Sequence, residues 1–242
     1  MKFLKWAVAA TVLSAAPLHA APVSLVNAGF ENGLDGWTTV GGGVTATSST
    51  TVTTYDDVEW DILAAGTKMA QLTPAGTDIG TVAGALGVSA AFFSDPTGGI
   101  TDASAIYQSF SANAGDTVSM YWDYVATDYI PFDDPAFALL IGPGNSITTL
   151  ASIYGNGIAV GTSGHSGWQK FSHTFATGGS YTLAFVTTNT RDQVLDSYLF
   201  LDGAPGSCEP QCPPPVNPVP EPASVALLAL GGAFAVVRRF RR

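Results

Sequence analysis

An all-β fold, an antiparallel β-sandwich, is the architecture that these 242 residues predict, and three observations predict it. Short segments rich in Val, Phe, Tyr and Trp recur between punctuation by Gly, Thr, Ser and Asn. Stretches with helical periodicity are almost absent. Several segments alternate strictly, with one apolar and one polar face, as a sheet packed on a second sheet requires.

Taken in order, the candidate strands are 24–27, 44–53, 69–73, 105–110, 117–125, 136–141, 169–175, 181–187 and 197–201. The fifth is the clearest, since period two places Val118, Met120, Trp122 and Tyr124 on one face. In the seventh, Phe171, His173 and Phe175 share a face. The stretch 21–203 is long enough for one domain with a sizeable core.

The ends of the chain read differently. Lys2 and Lys5, an apolar stretch from Trp6 to Ala16, and Leu18-His19-Ala20 before Ala21 have the form of a secretory signal peptide over 1–20. As an uncleaved anchor the apolar part is too short. At the other end Val219-Pro220-Glu221-Pro222 precedes an apolar run from Ala223 to Val237, and Arg238, Arg239, Arg241 and Arg242 close the chain. A helix of that run spans roughly 22 Å against roughly 30 Å of hydrocarbon, so it needs its flanks. Arginine stems snorkel, Pro222 suits a helix start, and the arginines favour the cytoplasmic side. The expected orientation puts the bulk of the chain outside the cytoplasm.

This triplet, short apolar helix and terminal arginine cluster, in that order, resemble the bacterial PEP-CTERM sorting signals, also filed under an ice-binding-protein C-terminal domain label. The resemblance covers about the last two dozen residues. It implies recognition by a membrane-embedded exosortase, cleavage near the triplet, transient anchoring by the helix, and attachment or release at the cell surface. Any catalytic residues of that step belong to the exosortase. An unprocessed C-terminal anchor is the alternative.

The stretch between the ends is strongly acidic. From Ala21 to Ser207 there are 17 acids against Lys68, Lys170 and Arg191, a formal charge of −14. Such a field repels phosphate backbones and excludes nucleic acid as a partner; it suits divalent cations or simple solubility. Cys208 and Cys212, the only cysteines, sit in a Pro-rich linker over 204–218. Outside the cytoplasm a small disulfide loop between them is expected, with free thiols or an intermolecular link as alternatives. The proline density favours an extended spacer.

A second resemblance starts at Asn27-Ala28-Gly29-Phe30-Glu31 and Gly36-Trp37, which look like the opening of galactose-binding-like and carbohydrate-binding-module jelly rolls. Ile106–Phe110 with Ala114–Thr117, Trp168–Phe175 and Leu199–Gly203 match the later strands of that layout. The likeness implies a jelly-roll sandwich over 21–203 and a structural calcium joining the first strand to the last, here through Glu31 and Asp202. Calcium takes six to eight oxygen ligands at about 2.3–2.6 Å. The alternative has Glu31 capping a turn and Asp202 facing solvent. No other cofactor is expected.

Two more stretches put carboxylates beside aromatics: Asp56-Asp57-Val58-Glu59-Trp60-Asp61, and Asp128-Tyr129-Ile130-Pro131-Phe132-Asp133-Asp134. Both read as surface loops joining strands, and either chemistry suits a cation site or a sugar platform of ring faces. Thr45 to Thr54 is rich in Thr and Ser but lacks the sustained repeat of an ice-binding array. His165 falls in a Gly/Ser loop and His173 on an alternating strand, and neither belongs to a nucleophile or metal motif. The expectation is an exported, surface-sorted, non-catalytic sandwich with a binding or structural role, carbohydrate being the implied ligand. A secreted carbohydrate-active enzyme and an ice-binding protein are the alternatives.

Overall fold

A computed structural model describes residues 20–94, 98–155 and 157–206. Residues 1–19 of the expected signal peptide, Cys208 and Cys212, the motif Val219–Pro222, the apolar run and the four terminal arginines lie outside the described residues. The chain forms β1 (Thr38–Val40), β2 (Val44–Thr47), β3 (Thr50–Thr53), β4 (Glu59–Ile62), β5 (Met69–Leu72) and helix α1 (Ile79–Leu86). After these come β6 (Ile100–Ala112), β7 (Thr117–Val125), β8 (Ala136–Ile141), β9 (Ser146–Ser152), β10 (Ile158–Ala159), β11 (Gln169–Thr174), β12 (Gly179–Thr190) and β13 (Tyr198–Asp202).

Two sheets face each other. One has six strands in the order β1-β6-β12-β8-β9-β10 and the other five, β11-β7-β13-β5-β2. All pairs are antiparallel except β9 with β10. Between the sheets lies the main core, and strand alternation fills it: Val118, Met120, Trp122 and Tyr124 of β7, Leu199 and Leu201 of β13, Leu183 and Phe185 of β12. The expected face of β7 is therefore the observed one. Its bounds and those of β8 coincide with the expected ones.

The opening motif closes this core from one side. Asn27 sits at φ 49°, its side-chain amide donates to the carbonyls of Gly33 and Asp35, and its own carbonyl accepts from Trp37 Nε1. Phe30 is fully buried with its ring 5.3 Å from that of Trp37. Gly36, at φ 84°, is required, because a Cβ there would come within 2.8 Å of Val26. Residues 24–27, expected as a strand, run through coil into this turn, since Asn27 spends its side chain holding the loop that follows.

Both outer faces are covered over their central strands. On the six-stranded sheet, α1 packs Val82, Ala83 and Leu86 against Ala103, Ala105, Phe137, Leu139, Ala184 and Val186. Asp78 caps α1 by accepting from Gly80 and Thr81 N–H, and Gly87 ends it in the left-handed region. On the five-stranded sheet lies a hairpin, β3 with β4, that forms its own two-stranded sheet. Val52 and Ile62 from the hairpin meet Met69, Val125 and Phe200, with Trp60 and Trp168 packed alongside. The expected single strand 44–53 is therefore two, because after β2 the chain leaves the five-stranded sheet to build this lid.

Candidate functional site

At the end of the sandwich where β7 finishes and β13 begins, three segments enclose a groove of about 490 Å³. The β3–β4 turn brings Thr54 and Tyr55, the segment after β7 brings Thr127, and the β12–β13 loop brings Gln193, Val194, Leu195 and Asp196, with Tyr198 behind them. The two acidic–aromatic stretches, about 70 residues apart in sequence, meet here: the Tyr55 and Tyr129 rings lie 4.8 Å apart, and Phe132 packs edge-on to Tyr129 at 5.5 Å. Tyr55 and Tyr129 are 44% and 40% exposed, so two ring systems stand open beside the groove.

Hydrogen bonds fix these walls to one another. Thr127 Oγ1 lies 2.9 and 2.8 Å from the carbonyl oxygens of Leu195 and Asp196, and the Thr127 carbonyl accepts from Tyr55 N–H at 3.4 Å. Asn189 donates through Nδ2 to Asp196 Oδ1 at 2.9 Å. Behind the turn, Asp56 accepts from Thr54 Oγ1 at 2.6 Å and from Ser163 Oγ, bonds that hold its carboxyl below the usual carboxylate range.

The second stretch departs from the surface loop expected of it. Asp128, Asp133 and Asp134 are all buried. Asp134 lies between the β12 end and the start of β13, accepting from Thr190 N–H at 2.8 Å and from Ser197 Oγ at 3.3 Å, while its carbonyl accepts from the buried Tyr124 hydroxyl at 2.7 Å. Burial, helped by the charges of Asp128 and Asp192, pushes its carboxyl up to about 8. Asp128 is pushed up to about 6, again chiefly by burial. The Asp133 carboxylate accepts from Tyr154 N–H at 2.6 Å. These carboxyls anchor the loop, leaving Tyr129 and Ile130 outside it.

His165 lies against the outer face of the five-stranded sheet. Its Nε2 is 2.8 Å from Oδ1 of the buried Asp123, and Trp60 lies over its ring at 4.9 Å. Ser166 Oγ is 3.1 Å from the same carboxylate oxygen and accepts from Tyr124 N–H. The hydroxyl faces the carboxylate rather than the imidazole, the reverse of a nucleophile and its base, so the cluster is a clasp. Trp60 Nε1 donates to the Ser163 carbonyl at 2.9 Å, which fastens the hairpin carrying Tyr55 to the 161–168 loop.

Glu31 and Asp202 converge on one turn. Glu31 accepts from Thr67 N–H and Oγ1 and from Lys68 N–H, and its carboxyl is lowered first by the Thr67 hydroxyl. Asp202 accepts from Ala65 N–H at 2.9 Å and from its neighbour Gly203 at 2.6 Å. It is buried, and burial raises it, with a contribution from Glu31. Two carboxylates that repel across a turn fit a cation in charge; no group of three or more His, Cys, Asp or Glu side chains is placed for a metal among the described residues, so further ligands would be neutral oxygens.

Residues 218–242 match the PEP-CTERM protein-sorting motif. The tail is a PEP-CTERM sorting motif. None of the curated proteins matches the chain. Similar solved structures include the carbohydrate-binding module TmCBM61 in complex with β-1,4-galactotriose, at 13% identity and TM-score 0.37, covering 73% of this chain and 92% of that one. Another is a structure of carbohydrate-binding modules from the β-sandwich superfamily, at 10% identity and TM-score 0.37, covering 77% of this chain and 62% of that one. The two facing sheets are the all-β sandwich that the alternating strands predict.

Proposed function

We propose that the protein is exported, sorted through its PEP-CTERM motif by an exosortase, and displayed at the cell surface or in the extracellular matrix as a non-catalytic carbohydrate-binding sandwich. The domain plan is a cleaved leader over 1–20, the sandwich over 21–203, a spacer over 204–218 and the sorting segment over 219–242. Before processing, the apolar helix and its arginines hold the tail in the membrane. Cys208 and Cys212 close a small loop in the spacer.

The carrying observation is the convergence of Tyr55 and Tyr129 beside the groove. Sugar rings present C–H faces that stack on aromatic rings, and Thr, Gln and Asp side chains supply hydrogen bonds to hydroxyls. Only one carboxylate, Asp196, is among the groove lining, whereas glycoside hydrolysis works with two. In affinity electrophoresis through neutral polysaccharides, the full chain in mild detergent should be retarded. The double variant Tyr55→Ala/Tyr129→Ala should lose that retardation by about tenfold or more in affinity, two stacked rings being worth roughly 1–3 kcal/mol together by analogy with other aromatic contacts. Depolymerisation of any polymer in the panel would favour the enzyme instead.

A calcium ion between Glu31 and Asp202 is proposed as a structural tie. Calcium should raise the melting temperature of the full chain and EDTA should reverse the rise; in Glu31→Gln neither should act. A melting temperature indifferent to both reagents in the unsubstituted protein removes the ion.

A further inference from the structure

Resting on the reading of the groove as a glycan platform, we propose that it admits uncharged glycans and rejects those bearing carboxylate or sulfate groups. The groove lining holds one ionisable acid, Asp196, and no basic side chain. Asp56 and Asp57 sit on the turn beside Tyr55, and Asp192 opens the loop that forms the opposite wall. The three basic residues of the sandwich are committed elsewhere. Lys68 lies by Ser48 and Glu31, and Lys170 stands over the Tyr121 ring. The Arg191 stem runs along Gly98, outside the groove lining.

An anionic polymer brought to the groove therefore meets like charge with no basic side chain in the lining, on a domain already carrying −14. Stacking on Tyr55 and Tyr129 needs no charge on the sugar, and the same rings with Thr54, Thr127 and Gln193 serve a neutral hydroxyl-rich chain. The acids thus select by exclusion, which is how a shallow site gains specificity without added contacts.

The experiment pairs neutral polymers with their own carboxymethylated forms: β-1,4-galactan, β-1,4-glucan, mannan and dextran, each against the full chain at low and high salt. At low salt a neutral polymer should bind at least tenfold more tightly than its carboxymethylated partner. Added salt should leave the neutral affinity within about twofold and narrow the gap, because screening acts on the repulsion alone. Gln193→Lys, which puts a cation on the wall, should narrow the gap without salt. Equal or tighter binding of a carboxymethylated form at low salt overturns the exclusion, while loss of that binding in Tyr55→Ala/Tyr129→Ala would leave the groove itself as the binding site. If no polymer binds, or the tyrosine variant binds as the parent does, the glycan platform fails and the exclusion falls with it.

Discussion

Asp134→Asn should be more stable than the parent protein at pH 8, by on the order of a few kcal/mol, and should unfold with a flatter pH dependence. Burial above all raises the carboxyl from the ordinary aspartate range to about 8. An acid whose pKa is higher folded than unfolded stabilises the fold while protonated. Its contribution is complete below about pH 4 and is lost as pH rises through about 8. Asp128, raised to about 6, acts in the same direction over a lower window. Glu31, Asp56 and Asp116 are lowered by hydrogen bonds and act oppositely, losing their contribution as pH falls below about 4. Stability of the parent should therefore peak in mildly acid solution and decline towards pH 8. Asparagine is nearly isosteric, tolerates the φ of 45° found at this position, and can keep the bonds to Thr190 and Ser197. Urea titrations followed by tryptophan fluorescence between pH 4 and pH 9 give the comparison. A variant whose profile parallels the parent at every pH would show that Asp134 is not the group responsible.

Trp60→Ala should cost about 2–3 kcal/mol of stability and weaken glycan binding even though the residue does not line the groove. The indole packs on His165 at 4.9 Å, joins the small core with Val52, Ile62 and Phe200, and donates to the Ser163 carbonyl. Ser163 in turn holds Asp56, the neighbour of Tyr55. Cutting the indole away frees the hairpin from the sheet, so the ring wall loses its position along with its support. Trp60→Phe, which keeps one aromatic ring against His165 but loses the N–H donor and part of the ring volume, should recover part of the stability. Wild-type affinity in Trp60→Ala would mean that Tyr55 is placed without the hairpin's anchor.

Much of the fold was written in period two. Strands β7 and β8 could be bounded by eye, because every second residue of β7 is apolar and β8 is an unbroken apolar run. Helix α1 is not legible in the sequence although its signals are present, Asp78 as a cap, Val82 and Leu86 four apart, and Gly87 as a stop; eight residues are too few for periodicity to stand out. The acids misled in a different way. Asp133 and Asp134 look like solvent-facing letters, yet their carboxylates are consumed by backbone N–H groups of Tyr154 and Thr190, partners that lie 21 and 56 residues away. For the same reason the two acidic–aromatic stretches were visible separately while their meeting was not. Only the β3–β4 hairpin, laid over Val125 and Phe200 with the Tyr55 N–H on the Thr127 carbonyl, makes Tyr55 and Tyr129 neighbours.

Because α1 packs over the centre of one sheet and the hairpin over the centre of the other, the described residues leave no broad planar surface over the central strands. On the proposed reading a polymer would be met at the groove at one end of the sandwich, across the span of a small-molecule site, and each molecule would grip only a few sugar units. Firm adhesion would then be a collective property, arising when many copies are arrayed along one polysaccharide strand and each release is followed by recapture next door. Crowding on the envelope, rather than the tightness of any one grip, would decide whether the matrix holds.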